Sequence, residues 1–229
     1  MLATLSTRKA TKADIPFLAR IEYEASLPPF NHCFWEDLLG GTGTSALAFI
    51  EAELRVDASN WGDVEDFIIL EEEGKPVAAA AGYVPNDENY TPLRVSRLDA
   101  IAQKLNWSNA VADTFRDRYL GMWGGDLRPF ILMPQATWII ETVAVVPEAR
   151  GRGLGKEIVK AVVEEGRSQN HSHAGIMIIN GNDAARHTYE SIGFKPYMSF
   201  YADLFSEQLG MDFPGITKFG LRLGSVSND

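Results

Sequence analysis

The stretch WIIETVAVVPEARGRGLGK, residues 138–156, constrains this chain more than any other. It opens as an apolar, β-branched run broken by one carboxylate, Glu141, and reads as a buried strand. Pro147 ends the run, because proline has no N–H to give a sheet ladder. A turn of glycine and arginine follows. Beyond it, Ile158, Val159, Val162 and Val163 recur at helical spacing and share one face. The predicted order is strand, glycine turn, helix. Such a turn aims unpaired backbone N–H groups and the positive end of a helix dipole at one point, which suits a pyrophosphate.

Two nucleotide motifs fail on spacing. A P-loop needs Ser or Thr after its Gly-Lys; here Glu157 follows Lys156, and Arg150 stands where the first glycine belongs. The dinucleotide fingerprint needs a third glycine where this chain has Lys156. Charge narrows the partners. At −10 the chain is a poor match for nucleic acid, whose phosphates call for basic patches. The acidity either draws in a cationic amine or simply keeps the protein in solution. No apolar run is long enough to span a membrane, so no membrane partner is expected. The first residues lack a long apolar stretch, so no secretory leader is expected. The one cysteine, Cys33, cannot form an internal disulfide, which suits a reducing, cytoplasmic setting. It reads as a small packing residue, with a nucleophilic role as the alternative.

Taken in order, residues 4–9 read as a strand, and Thr11 with Asp14 as a capping box that starts a helix running to about residue 25. Residues 34–39 and 45–55 read as helices separated by a glycine break. Residues 67–72 and 76–84 read as a hairpin with its turn at Gly74-Lys75. The run of alanines at 78–81 suggests close packing under a helix. A structureless connection through residues 85–135 is improbable at that length, so a helical insertion is expected, patterned at 93–105 and 109–120. It carries Trp107, Phe115, Arg116, Arg118, Tyr119 and Trp123. It serves either as a wall for an acceptor pocket or as a packing surface, within the chain or in a homodimer. Residues 174–180 read as a strand, 182–192 as a helix stopped by Gly193, and 195–204 and 216–223 as closing strands around a loop at 205–215. One domain over 1–229, with 85–135 inserted, is the simplest organisation.

A second constellation lies at residues 182–194, NDAARHTYESIGF. Asn182, Ala185, Tyr189 and Ile192 line one helix face. The pattern N-x-x-A-x-x-x-Y-x-x-x-G-F stands about thirty residues after R-x-x-G-x-G at Arg150, Gly153 and Gly155. Together the two resemble the paired coenzyme-binding segments of the GNAT superfamily of N-acyltransferases. The likeness is specific over 137–194 and loose before it. It implies an α/β (α+β) fold: a mixed, mostly antiparallel central sheet flanked by helices on both faces. It also implies an acetyl-CoA-dependent N-acetyltransferase, with acetyl-CoA as co-substrate and no metal.

The resemblance also implies roles. The backbone of Val143, Ala144 and Val145 should pair with the pantetheine arm as an added strand would. N–H groups from Arg150, Gly151, Arg152, Gly153, Leu154, Gly155 and Lys156 should hold the pyrophosphate. The Arg150 and Arg152 side chains either add charge there or sit in solvent. Asn182, with Ala185 and Arg186 beside it, should meet the coenzyme, and Tyr189 should lie near the thioester sulfur. Direct transfer to an amine requires the amine to lose a proton first. Glu141 is the candidate base, its pKa raised by an apolar strand; alternatively it faces solvent or pairs with an arginine. Tyr189 is the candidate acid for the departing thiolate, or else packs against the coenzyme. An N–H near Val143 is placed to stabilise an oxyanion. His171 and His173 lack a third ligand for a metal, His187 reads as a surface residue, and His32 beside Cys33 is weak evidence for a thiol–imidazole pair. The expected acceptor is a primary amine of a small molecule. A protein or peptide amine, or a non-catalytic CoA-binding module, are the alternatives.

Overall fold

The computed structural model describes residues 4–86, 90–124, 132–134, 136–201 and 213–224. A seven-stranded sheet runs in the order β1-β2-β3-β4-β5-β7-β6. Its strands are β1 (Leu5–Lys9), β2 (Phe67–Glu72), β3 (Lys75–Tyr83), β4 (Trp138–Val145), β5 (His173–Ile179), β6 (Lys195–Phe200) and β7 (Ile216–Arg222). Every pairing is antiparallel except β4 with β5. The helices are α1 (Ile15–Ser26), α2 (Phe34–Leu39), α3 (Ala46–Arg55), α4 (Leu98–Lys104), α5 (Asn109–Trp123), α6 (Leu154–Ser168) and α7 (Asp183–Ile192). Helices α1 and α6 pack on β3 and β4. Every residue from Val77 to Gly82 is buried, so both faces of β3 are covered; the alanines let helices approach closely.

Local chemistry accounts for the element ends. The Thr11 N–H donates to the Asp14 carboxylate at 2.9 Å, completing the capping box before α1. Ser45 caps α3 by accepting from the Ala48 N–H. Gly193, at φ 111°, closes α7. The β2–β3 turn falls at Glu73 and Gly74, with φ of 51° and 76°, one residue earlier than the sequence suggested. Two positive φ angles make the turn that matches strand twist, and they free Lys75 to pair with Glu72.

The insertion is helical, but its first helix starts at Leu98 rather than near 93. Backbone commitments hold the preceding residues out of a helix: the Leu93 N–H donates to the Tyr119 hydroxyl at 2.7 Å, and the Arg94 N–H to Ala58 O at 2.7 Å. Trp107 and the aromatics of the insertion's longer helix pack against other helices. Trp107 and Phe115 stack with Phe49 of α3, and Phe49 continues to Trp35 of α2, with centroids 4.7–6.1 Å apart. Arg116 pairs with Asp99 and Asp113, and Arg118 donates to the carbonyls of Leu38 and Gly40. Of the loop expected at 205–215, residues 205–212 lie outside the described residues, as do 202–204 of the expected strand.

The start of β4 is fixed by one side chain. The Trp138 indole lies against α6 and donates to Val162 O at 3.1 Å. Two glycines make room for it. A Cβ on Gly166 would meet Trp138 Cδ1 at 2.6 Å, and one on Gly82 would meet Val162 Cγ1 at 2.4 Å and Trp138 Cζ2 at 2.6 Å. Gly82→Ala should therefore destabilise the fold by roughly 1–3 kcal/mol, the usual cost of overpacking. A urea midpoint unchanged from the parent would contradict this account of the β4 anchor.

Candidate active site

Trp138 sets the facing of everything after it. Side chains alternate along a strand, so with Trp138 against α6, Ile139 and Glu141 face the opposite side of the sheet. β4 pairs with β5 only at Trp138–Ala174 and Ile139–Gly175. Past that point β4 stays with β3, and β5 stays with β7 along its whole length. The two parallel strands thus part, leaving one edge of residues 141–145 without a strand partner among the described residues. At the parting β4 carries a bulge: Ala79 pairs with Ala144 but Ala81 with Glu141, so β4 has one residue more than β3 across this interval. The extra residue is Thr142, at φ 54°. A β-branched residue in the left-handed region is strained by about 1–3 kcal/mol, and such strain clusters at functional sites.

The turn between β4 and α6 has the geometry the glycines require. Gly151 and Gly153 have φ of 76° and 78°. The Arg150 N–H donates to Pro147 O and the Lys156 N–H to Gly153 O, so the two ends of the predicted N–H cradle are already engaged. Among the described residues, the N–H groups of Gly151, Arg152, Gly153, Leu154 and Gly155 meet no intrachain acceptor. The arginine side chains are tied down. Arg150 pairs with Glu24 of α1 at 2.6 Å and also donates to Val145 O; Arg152 pairs with Glu72 of β2. Lys156 reaches Ser191 O at 3.3 Å, joining α6 to α7.

Asn182 caps α7, its side-chain oxygen accepting from the Ala185 N–H at 3.2 Å. That leaves its amide nitrogen as the group able to meet a ligand. Ala185 is half-buried, and the Arg186 guanidinium lies 5.4 Å over the Phe219 ring. Tyr189 is buried between Phe194 and Phe219, with ring centroids 6.2 and 6.3 Å away.

Where β4 and β5 part, a cavity of about 500 Å³, counting its open mouth, lies on the face away from α6. Glu141, Trp61, Tyr83, Tyr90, Tyr197 and Lys218 are among its lining residues. The loops at both ends of the insertion reach it, through Pro85, Asn86 and Tyr90 on one side and Leu132–Pro134 on the other. The insertion is therefore packing in its helices and pocket wall in its flanking loops. Burial pushes the Glu141 carboxyl up to about 8; a hydrogen bond from the Thr142 backbone and the Lys218 charge pull the other way. Burial, with the Glu141 charge added, raises the Tyr189 phenol well above its ordinary value. The carboxyl and the phenol are thus near enough to sense each other.

The structure leaves the remaining sequence candidates aside. Cys33 is fully buried and its thiol is pushed up to about 11, chiefly by burial, so it stays protonated. His32 turns to Glu36 and Asp37 instead. His171 stacks on Trp138 at 4.9 Å, His173 begins β5 with its ring beside Ser172, and His187 is exposed. Two features escaped sequence reasoning. Lys218 is a charge inside the apolar strand 216–223, the same signal that drew attention to Glu141, and it was passed over. Half-buried Glu22 of α1 and buried Glu53 of α3 carry no sequence mark beyond their place on amphipathic helices; desolvation pushes Glu22 up to about 7 and, with the Glu22 charge added, holds Glu53 well above the usual carboxylate range.

Comparison with known proteins agrees with this geometry. A 74-residue segment is 30% identical to streptothricin acetyltransferase of Streptomyces lavendulae, covering 31% of this chain and 39% of that protein. Among solved structures, an N-acetyltransferase from Staphylococcus aureus Mu50 superposes with a TM-score of 0.60 at 18% identity, covering 94% of this chain and all of that one. YncA of Salmonella typhimurium, solved with its cofactor acetyl-CoA, gives 0.51 at 17% identity over 97% and 96% of the two chains. These structures share the fold. The family itself is settled by a match to the acetyltransferase (GNAT) family across residues 32–194, which takes in both glycine turn and Tyr189 helix: this chain belongs to the GNAT family and is an acyltransferase.

Proposed function

We propose that this protein transfers an acetyl group from acetyl-CoA to a primary amine of a small molecule, by direct attack of the amine, within one domain spanning residues 1–229. The observation that carries the reading is the cavity that ends on Glu141 where β4 and β5 part. The chain has two features that fit the donor. The edge of Val143–Val145, which pairs with no strand there among the described residues although Val145 O already accepts from Arg150, offers its remaining backbone groups to an extended pantetheine arm. The N–H groups of Gly151–Gly155 offer an uncommitted cradle for a pyrophosphate at the start of α6. With Arg150 and Arg152 paired to Glu24 and Glu72, this binding rests on backbone N–H groups. Asn182 adds its amide nitrogen at the start of α7. Bound there, acetyl-CoA supplies an activated thioester.

The chain's own residues then manage the protons. Glu141, ionised, takes a proton from the amine that enters the cavity. The bulge at Thr142 re-aims the strand so that the Val143 N–H faces the open edge, where it stabilises negative charge developing on the acyl oxygen. Tyr189 keeps its proton because its phenol is raised, and holds it at Oη for the leaving sulfur. An acceptor of modest size fits a cavity walled by the insertion's loops better than a peptide needing an open groove. The streptothricin acetyltransferase likeness favours the same class. A lone, buried Cys33 accords with work in the cytoplasm.

Three measurements test this. Acetyl-CoA at about a hundred times its dissociation constant should stabilise the protein by ~2.7 kcal/mol, a melting shift of roughly 5–10 °C at this size; no shift would remove the donor assignment. For the free enzyme, kcat/KM should rise as pH climbs toward about 8, because Glu141 must lose its proton to act. Glu141→Gln should flatten that limb and lower kcat by about 10²–10⁴-fold, and an unaltered pH profile would exclude the base role. Tyr189→Phe should reduce kcat by at least ~10² while coenzyme affinity changes little, as expected for a lost general acid. Turnover equal to the parent's would show that Tyr189 only packs.

A further inference from the structure

The cavity holds one charge of each sign. Among the described residues that line it, Glu141 and Lys218 are the formally charged ones. They come from β4 and β7, on either side of β5. Both line the cavity, on strands separated by β5 and by the gap that opens beside it, with their side chains entering one space. No ion pair joins them among the described residues. Each is instead supported separately. Lys218 is 4% exposed, donates to Met133 O, and sits 5.3 Å over the Phe200 ring. A buried ammonium with one carbonyl and one aromatic face for company is only partly compensated for the water it lost.

We propose that Lys218 is a specificity residue that binds the acid group of the acceptor, and that the acceptor class is an amine bearing a carboxylate a few bonds away, as in an amino acid. This rests on the reading of the cavity as the acceptor site. It follows from matching charge to charge. The amine must approach Glu141 to be deprotonated, and whatever extends from it across the cavity meets Lys218. A second ammonium there would face a like charge at close range, so a polyamine is the wrong complement. A single carboxylate suits one ammonium, whereas a phosphate ordinarily draws on several cations or a helix N-terminus. The rings of Trp61, Tyr83, Tyr90 and Tyr197 then enclose the body of the acceptor. Burial lowers the Lys218 ammonium to about 8 while the Glu141 charge raises it, so it remains largely protonated at neutral pH and is strengthened by an incoming carboxylate.

The test is a thiol-release assay on amino acids with apolar and aromatic side chains, each paired with its own carboxamide, with spermidine added as a polycation. The parent enzyme should favour the acid over the carboxamide by about 10–100-fold in kcat/KM, the range of one charge-assisted hydrogen bond, mostly through KM. Lys218→Met should bring that ratio to about 1, and Lys218→Arg, which keeps the charge, should retain part of it. An acetyl-CoA melting shift in both variants verifies that they fold. Several outcomes overturn the proposal. Spermidine or the carboxamides outperforming the acids would do so while leaving the N-acetyltransferase reading intact. So would a Lys218→Met enzyme whose pH profile moves while its acid-to-amide ratio holds, since Lys218 would then act on Glu141 alone. If no amine releases thiol although acetyl-CoA still raises the melting temperature, the small-amine reading falls and takes this one with it.

Discussion

The fold turns on two parallel strands that part after one short contact. β4 and β5 share their first residues, held by Trp138 and the glycines that admit its indole. From there each strand is loyal to its antiparallel neighbour, so the sheet behaves as two pieces joined at one end. A strand edge without a partner carries N–H and C=O groups whose hydrogen bonds must go somewhere, and leaving such groups dry costs about 1–3 kcal/mol each. The wedge is thus a standing demand for an extended ligand. It also lets groups from opposite sides of the sheet influence one another: Glu141 faces away from α6 and Tyr189 comes from α7, which packs on α6, yet the Glu141 charge adds to the burial that raises the Tyr189 phenol.

The electrostatics around the wedge divide into two kinds. At the glycine turn, Arg150 with Glu24, Arg152 with Glu72 and Arg20 with Glu148 are largely exposed pairs. Pairs of that kind contribute about 0–1 kcal/mol, so their effect is better understood as holding α1, β2 and the turn in register than as stabilising the fold. In the proposed function they also keep guanidinium charge away from the phosphate cradle, leaving recognition to backbone dipoles. In the cavity the charges among the described residues are few and poorly hydrated, and burial pushes the Glu141 carboxyl up and the Lys218 ammonium down. Geometry is set by the first group and proton chemistry by the second.

The donor half of the protein was legible because its chemistry constrains the backbone. Positive φ at Gly151 and Gly153, an N-cap at Asn182 and a C-cap at Gly193 demand particular residues at fixed spacing, and such demands are visible in a sequence. The acceptor half makes no comparable demand. Trp61, Tyr83, Tyr90, Tyr197 and Lys218 come from five separate segments, and only the folded sheet and the looped ends of the insertion bring them together. The insertion's role stayed open for a related reason. An aromatic on an amphipathic helix is spaced for the core whatever it serves, so the sequence leaves pocket wall and packing surface as alternatives; in the structure Phe115, with Trp107 just before its helix, closes on Phe49, while Tyr90 lines the cavity. The bulge at Thr142 was hidden because a threonine in a β-branched run carries no sign of left-handed backbone.

Proton linkage sets activity against stability in this protein. Glu22, Glu53 and Glu141 are all buried enough to hold their protons above the ordinary carboxylate range. A carboxyl raised in the folded state binds its proton when the unfolded chain has already released it. Stability contributed by that proton is therefore complete below about 4.5 and drains away as pH climbs toward the raised value, about 7 for Glu22 and about 8 for Glu141. Ionised Glu141 is the form that can accept a proton from an amine, so the upper part of the window that weakens the fold is the part that equips the base. Glu22 and Glu53 share a low-dielectric space between α1 and α3, and ionising either makes the other harder to ionise. The two thus resist full ionisation between α3 and α1, which also supplies Glu24 to the glycine turn. On the proposed mechanism, a site that must carry desolvated negative charge to work is kept on a scaffold whose own desolvated carboxyls give up their protons reluctantly.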